Sequence, residues 1–187
     1  MLKRVLVSTC FVLFASIVAP VSATENMYVV VSGGFSDAEF ADSSVDGATY
    51  KFAIGHQFHP QWYVEGGYQR IADEGGNIST QGISEVLEGD ALFLSVLGKA
   101  GSRQGELFYR VGIMNADMQG YRENESCAVE VCIVDEIYDD SVIAGVFGFG
   151  YDWYVSLNSM VRFEIEHISG EDSLQVNAVH IGFRYNF

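Results

Sequence analysis

The stretch that decides the fold is HIGFRYNF, residues 180–187, read together with the valine before it. Successive side chains of a β-strand point to opposite faces. One parity here is small or polar, whereas the other is apolar or aromatic throughout: Val179, Ile181, Phe183, Tyr185 and Phe187. The stretch therefore predicts a strand whose apolar face meets either a protein core or lipid, and the rest of the sequence has to decide between them.

The same alternation recurs along the chain and predicts eight strands. We place them at residues 27–35, 48–58, 62–71, 89–100, 106–116, 142–151, 154–168 and 174–187. Most have about the 9–11 residues that a tilted transmembrane strand needs. No stretch after residue 23 is apolar over the roughly 18 or more residues of a membrane-spanning helix, so any membrane crossing has to be made by strands.

The connections between these strands alternate in length. Short turns are predicted at 59–61, 101–105 and 152–153, and long loops at 36–47, 72–88 and 117–141, with a shorter one on the same side at 169–173. Short turns at one end and long loops at the other are typical of outer-membrane barrels. The sequence thus predicts an all-β fold, an eight-stranded antiparallel up-and-down transmembrane β-barrel with both termini at the short-turn end.

Charged residues within the strands fall on the parity opposite to the apolar one. Seven of them are predicted to point into the lumen: Lys51, Glu65, Arg110, Arg162, Glu164, Glu166 and Arg184. An eight-stranded barrel is just wide enough for side chains to fill it, and unpaired buried charge is costly. We expect a charge-paired, filled interior, with a gated pore as the alternative.

Aromatic residues gather beside the predicted short turns. They are Phe58, Trp62, Tyr151, Trp153, Tyr154, Tyr185 and Phe187. Aromatic girdles of this kind lie at membrane interfaces. They favour a membrane barrel over the alternative, a soluble periplasmic ligand-binding barrel, in which the apolar parity would face inward. In lipid every strand edge must be paired, so the last strand is expected to pair with the first.

The first residues predict export. Lys3 and Arg4 precede an apolar stretch over 5–18 and a small-residue site ending at Ala23, which together are typical of a cleaved secretory signal peptide. The mature chain would be one barrel domain, residues 24–187. It keeps eight basic residues against 25 acidic ones, a formal charge of 8 − 25 = −17. Nucleic acid is not a partner that this charge favours.

Two further features concern the predicted loops. Cys127 and Cys132 lie in the third long loop, and in an exported chain they predict a disulfide. No histidine lies near them, so we expect no metal site, and no cofactor is expected. The long loops are also rich in Asp and Glu, which indicates either simple solvation or divalent-cation bridging to lipopolysaccharide phosphates.

Three stretches carry a family resemblance: GVFGFGYDWYVSLNSMVRFEIEH (145–167), WYVEGGYQ (62–69) and FRYNF (183–187). They resemble the small eight-stranded OmpA/OmpX-type outer-membrane barrels. The resemblance implies a Gram-negative outer membrane, with periplasmic termini and contact with membrane lipid and lipopolysaccharide. It also implies that the barrel-assembly machinery reads the final aromatic strand through Phe183, Tyr185 and Phe187.

The resemblance rests on this pattern and not on a catalytic motif, and our leading expectation is a protein without enzymatic activity. We expect a surface protein that supports envelope integrity and presents acidic loops for adhesion or interaction with a host or cell-surface partner. One alternative is a lipid A acyl hydrolase using His167 and Ser169, because lipid A deacylases are eight-stranded barrels with a His-x-Ser pair at this place. Their orienting carboxylate lies on the last strand, where this chain has Asn177.

Overall fold

The computed structural model describes residues 26–40, 43–72, 75–78, 83–124, 134–171 and 174–187. The predicted signal peptide with its cleavage site at Ala23 lies outside these residues, and so does the predicted disulfide between Cys127 and Cys132. Within the described ranges, no helix is long and apolar enough to cross a membrane.

The described residues form nine β-strands. They are β1 (Met27–Phe40), β2 (Ser43–His59), β3 (Trp62–Ala72), β4 (Gly75–Ile78), β5 (Ile83–Gly101), β6 (Gly105–Asn124), β7 (Val134–Tyr154), β8 (Ser159–Gly170) and β9 (Gln175–Asn186). The short β4 pairs only with β5. The other eight form a closed ring in which each strand is antiparallel to its sequence neighbour and β9 pairs with β1. The predicted eight-stranded up-and-down barrel is therefore confirmed.

The closure has a definite stagger. Following partners around the ring from Val29 on β1, the row of paired residues returns to β1 at Glu39, ten residues further along the strand. With eight strands at the usual spacings, this stagger corresponds to a strand tilt of about 40° from the barrel axis. That tilt is within the range of closed barrels, and it leaves an interior that side chains can fill.

The predicted long loops at 36–47, 72–88 and 117–141 are wrong in extent, because much of each is strand. β1 and β2 stay paired as far as Phe40 and Ser43. β5 pairs with β6 from Gly101 to Ile83, and β6 pairs with β7 as far as Val134. The wall of the barrel is consequently much taller on this side than nine to eleven residues per strand would give.

The turn predicted at 152–153 is also wrong. β7 continues through both residues to Tyr154, and the chain reverses over residues 155–158, where the backbone amide groups of Val155 and Ser156 donate to the Ser159 carbonyl. Val155 and Leu157 continue the apolar alternation in sequence, which made the turn look like strand. Asp152 therefore belongs to strand β7 and not to a turn at the rim of the barrel.

We call the end of the barrel with the connections 60–61, 102–104 and 155–158 the turn end, and the opposite end the loop end. Both Asn26 and Phe187, the first and last described residues, lie at the turn end, because Phe187 donates its backbone N–H to the carbonyl of Met27.

Candidate functional site

The turn-end half of the lumen holds a set of ion-paired residues that we call the lower network. It consists of five cations and five carboxylates: Lys51, Glu65, Lys99, Glu106, Arg110, Asp152, Arg162, Glu164, Glu166 and Arg184. Nine of the ten are buried, and the Glu106 side chain is only 16% exposed. The balance of charge matters, because a buried charge without a partner costs several kcal/mol.

Glu65 is the centre of the network. Arg162 Nη1 lies 2.7 Å from its Oε1, and Arg110 Nη2 donates to its Oε2. The Tyr28 hydroxyl donates to Oε1 at 2.8 Å. The Tyr28 ring fits only because Gly55 has no side chain, since a Cβ there would lie 2.1 Å from Tyr28 Cζ. One carboxylate thus ties strands β1, β3, β6 and β8 together across the lumen.

Asp152 is a second centre, nearer the turn end. It receives both Nε and Nη2 of Arg162, at 2.7 and 2.9 Å. Lys99 Nζ and Arg184 Nη1 each lie 2.8 Å from its Oδ2 and also contact Glu106. Fork-shaped pairing of this kind fixes geometry as well as charge. Asp152 therefore links the last strand of the barrel, through Arg184, to β5 and β8.

The network ends, towards the loop end, at Lys51. Its Nζ atom lies 2.6 Å from Glu164 and 2.7 Å from Glu166, both on β8. Glu166 also contacts Arg110 and, at 3.5 Å, the buried ring of His180. Arg110 contacts Glu65 as well, so Lys51 is joined to the Asp152 centre by an unbroken series of ion pairs.

Beyond Lys51 the lumen changes character. Apart from the buried hydroxyls of Ser36 and Thr49, the inward-facing side chains there are mostly apolar. The apolar ones are each at most 5% exposed, and we call them the upper core: Ala38, Ile71, Ala91, Phe93, Met114, Ala116, Met118, Val142, Ala144, Val146, Ile168, Leu174, Val176 and Ala178. They explain why the predicted loops are strands. The extended strands enclose an apolar interior of their own, and burial of that surface favours the paired, extended chain.

The outward-facing side chains of the turn-end half are apolar. This apolar belt includes Val31, Phe52, Ile54, Leu94, Val96, Val111, Phe149, Phe163, Ile165, Ile181 and Phe183, each at least 42% exposed. A soluble protein rarely leaves a contiguous apolar surface of this extent uncovered. The alternation of the sequence predicted this face, and its exposure requires an apolar medium or partner around it.

Towards the loop end the outward side chains become polar. We call these residues the polar collar: Asp37, Asp46, Arg70, Asp90, Asn115, Asp117, Ser141, His167, Ser169, Gln175 and Asn177. Arg70 is paired with Asp90 through Nε at 2.8 Å, and Tyr68 donates to the same carboxylate. The two halves of the wall therefore have opposite polarity. The turn-end half is apolar outside and charged inside, whereas the loop-end half is polar outside and apolar inside.

Several solved outer-membrane proteins are similar to this barrel in fold. Neisserial surface protein A matches with a TM-score of 0.62 and 10% identity, over 86% of this chain and 97% of that one. Ail, the attachment invasion locus protein of Yersinia pestis, in complex with the heparin analogue sucrose octasulfate, matches with a TM-score of 0.57 and 14% identity, over 88% and 100% of the two chains. The N-terminal β-barrel domain of Pseudomonas aeruginosa OprF matches with a TM-score of 0.58 and 13% identity, over 87% and 98%.

The chain has the fold of the small eight-stranded outer-membrane barrels. No protein-family model matches the sequence, and no curated protein matches it significantly. At 10–14% identity the likeness concerns the fold, so activity and partners have to be argued from the residues of this barrel.

The barrel brings together all seven residues predicted to line the lumen. Sequence reasoning missed three members of the lower network, Lys99, Glu106 and Asp152. Glu106 has the same parity as Arg110 and could have been found from it. Lys99 was hidden because both parities of β5 are apolar next to it, with Val96 on one and Leu97 on the other. Asp152 was assigned to a turn.

The aromatic girdle is present at the turn end with one exception. Phe58, Trp62, Trp153, Tyr185 and Phe187 are exposed on the outer face, and Tyr151 is partly exposed there. Tyr154 does not belong to the girdle, because its hydroxyl donates to Glu106 of the lower network at 3.1 Å. The parity of β7 explains this, since Tyr154 shares it with the inward-facing Asp152.

His167 and Ser169 lie on the outer face within the polar collar. His167 Nδ1 is 2.8 Å from Asn177 Oδ1 on β9, so the partner of the imidazole among the described residues is an amide. Ser169 is exposed and is paired along the backbone with Gln175. Among the described residues, no group of three or more His, Cys, Asp or Glu side chains is placed to hold a metal ion.

Proposed function

We propose that this protein is an integral barrel of a Gram-negative outer membrane that conducts no ions, supports the envelope and presents an acidic loop end at the cell surface. The supporting observation is the apolar belt on the outer face around a lumen of paired charges. In a soluble ligand-binding barrel the polarity would be reversed. Lipid is a medium in which such a surface is stable and in which a closed barrel leaves no unpaired strand edge.

The experiment that tests this placement is fractionation of cells expressing the full chain. We expect the protein in the outer-membrane fraction, released by detergent and retained after washing with salt or carbonate. Recovery in the periplasm without detergent would favour the soluble ligand-binding barrel instead. The periplasmic position of the termini is part of the same proposal and is tested by protease treatment of intact cells, which should leave an epitope next to Phe187 uncut.

The closed lumen supports the non-conducting part of the proposal. Ions entering from the turn end meet the lower network, in which the carboxylates are held by Lys or Arg. Ions entering from the loop end meet the upper core, whose apolar side chains offer no substitute for a hydration shell. The lower network and the upper core are two separate barriers, so we do not expect the loss of one to open the barrel.

The loop-end charge supports a surface role. Segments 36–49, 70–90, 115–143 and 167–177 carry 19 Asp and Glu residues, two Arg residues (Arg70 and Arg122) and no Lys. A field of this sign attracts cations and repels polyanions. The proposed surface partners are therefore cationic or bridged by divalent cations, including lipopolysaccharide phosphates. Ail was solved with a sulfated sugar, and the charge here predicts no binding of such a ligand.

Assembly is the third part of the proposal. Phe183, Tyr185 and Phe187 are exposed on the outer face of β9, the strand that closes the barrel against β1. An exposed aromatic face on the closing strand is available to the barrel-assembly machinery before the edges pair, and to lipid afterwards. We therefore propose that the assembly machinery binds this face during insertion and that lipid covers it in the finished barrel.

The alternative, a lipid A acyl hydrolase, has less support. His167 and Ser169 both lie on the outer face of the barrel. Among the described residues, however, the imidazole contacts the amide of Asn177 and not a carboxylate that would stabilise its protonated form. Glu171 is close in the sequence, but it follows β8 in the loop-end connection. We therefore propose no enzymatic activity for this barrel.

A further inference from the structure

His180 is the one histidine of the chain whose side chain is buried. The chain has four histidines, and the other three are at least partly exposed: His56, His59 and His167. His180 is 1% exposed and lies on β9, opposite Gly34 of β1 and Glu164 of β8. The next inward-facing residue of β9 towards the loop end is Ala178 of the upper core. The ring of His180 therefore lies where the lower network meets the upper core, on the strand that closes the barrel.

The contacts of the ring determine which of its nitrogen atoms carries the hydrogen. Nε2 of His180 lies 3.3 Å from the Thr49 hydroxyl on β2. That hydroxyl donates its single hydrogen to the backbone carbonyl of Arg70, so it can only accept a hydrogen bond from the imidazole. In the neutral ring the hydrogen is therefore on Nε2, and Nδ1 has a free lone pair.

The lone pair of Nδ1 faces a carboxylate oxygen. Nδ1 of His180 is 3.5 Å from Oε2 of Glu166, and neither atom has a hydrogen-bond partner among the described residues. The other oxygen of Glu166 receives hydrogen bonds from Lys51 and Arg110. Two buried acceptors thus face each other without a hydrogen between them. A proton bound at Nδ1 would form a charge-assisted hydrogen bond to Glu166 Oε2.

The charges around His180 are already balanced without such a proton. The charged groups that face the ring come from β2, β6 and β8: Lys51, Arg110, Glu164 and Glu166. On β1 the inward residues at this level are Ser32, Gly34 and Ser36, which carry no charge. A protonated His180 would be a sixth cation beside the five cations and five carboxylates of the lower network. An uncompensated buried charge costs more than one charge-assisted hydrogen bond returns.

We propose that His180 is a proton switch in the closing strand of the barrel. At neutral pH the ring is neutral and the lumen is charge-balanced. On acidification Nδ1 takes up a proton and donates to Glu166, and the lower network then has one cation too many, which weakens the closure of β9 against β1 and β8. Unfolding brings the ring into water, where a histidine binds a proton at about pH 6.5, so acid favours the unfolded chain. The switch lies in the lumen, and it does not depend on the medium around the apolar belt.

The test compares urea unfolding at pH 7.5 and at pH 5.5 for the full chain, expressed in cells, purified in detergent micelles and followed by tryptophan fluorescence. In the first protein His56, His59 and His167 are replaced by glutamine, so that His180 is the sole histidine. The second carries His180→Gln as well and has no histidine. The matched control keeps only His59, which is exposed in the folded barrel.

We expect the unfolding equilibrium constant of the first protein to rise, between pH 7.5 and pH 5.5, about tenfold more than that of the histidine-free protein. This is the effect of one histidine that binds its proton only in the unfolded chain. The control should change as the histidine-free protein does. Equal changes in all three proteins would overturn the proposal, and so would a smaller rise in the first protein, because the proton would then stabilise the folded lumen.

A second measurement does not need the His180→Gln variants to fold. Nitrogen NMR spectra of the first protein, labelled with ¹⁵N-histidine, report which ring nitrogen carries a hydrogen. At pH 7.5 they should show a protonated Nε2 and a bare Nδ1. A hydrogen on Nδ1 at this pH, alone or together with one on Nε2, would contradict the proposed switch.

Discussion

Asn177 and Val179 are two residues apart on the same outer face of β9, yet they stand on opposite sides of a change in polarity. From Asn177 towards the loop end, β9 is polar outside and apolar inside, with Val176 buried. From Val179 towards the turn end it is apolar outside, with Arg184 in the lumen. The polarity of the outer face of β9 therefore changes between these two residues, and we propose that lipid surrounds the barrel on the turn-end side of this level and water on the loop-end side.

The lower network should make a large contribution to stability. Arg162→Met leaves Glu65 and Asp152 without their main partner, and breaking a buried ion pair costs about 3–5 kcal/mol. We expect a lower urea midpoint for unfolding, measured by tryptophan fluorescence in detergent micelles. Arg103→Met, in the exposed connection between β5 and β6, is the control and should unfold like the natural chain. Equal midpoints for the two variants would show that the network is not a structural element.

The filled lumen predicts electrical silence. Reconstituted into planar bilayers, the natural chain should give no stable conductance steps. Glu65→Gln should also be silent, because the change weakens the lower network but leaves the upper core between Met118 and Ala178 intact. Discrete, long-lived openings of the natural chain would contradict the closed lumen, and openings only in Glu65→Gln would show that the upper core does not seal.

Acyl hydrolysis should be absent. Lipid A from cells expressing the natural chain should have the same acylation, by mass spectrometry, as lipid A from cells expressing Ser169→Ala. The physical reason is the amide partner of His167, which carries no negative charge and therefore stabilises an imidazolium less than a carboxylate would. A loss of one acyl chain that depends on Ser169 would instead establish the hydrolase, and Asn177→Asp would then be expected to increase it.

The two faces of the last strand should differ in their importance for assembly. Removal of Phe187, which is exposed on the outer face, should lower the amount of inserted barrel several-fold. Asn186→Ala, at the adjacent inward position, should have little effect on insertion. Heat-modifiable migration on gels distinguishes folded from unfolded barrels and gives the inserted fraction. The assignment of faces would be contradicted by equal insertion of both variants.

The barrel itself could be predicted from the sequence because one rule holds along most strands: apolar side chains face outward and charged ones face inward. The alternation in residues 179–187 follows this rule, and so do Arg110, Arg162 and Glu164. The loop-end half of the barrel could not be predicted in this way, because the same strands reverse the rule there. At Val176 and Ala178 the apolar parity faces inward, so a single assignment of faces along β9 fails there. Met118 lay in a predicted loop for the same reason.

The lower network was predictable where a charge interrupts an otherwise regular strand, as at Lys51 and Glu65. It was not predictable at Asp152, since Val155 and Leu157 prolong the alternation past the end of β7 and moved the turn. The contact between His167 and Asn177 followed from strand pairing alone.

The central claim is that lipid surrounds the apolar belt and water surrounds the polar collar, and single cysteines on β9 test it directly. In a background with Cys127 and Cys132 replaced by serine, Gln175→Cys and Asn177→Cys should react on intact cells with a membrane-impermeant maleimide. Val179→Cys and Ile181→Cys should stay unlabelled until the membrane is dissolved. The predicted result is a sharp drop in labelling between residues 177 and 179. Equal labelling at all four positions would mean that water reaches the belt, and the account of this protein as a membrane barrel would be wrong.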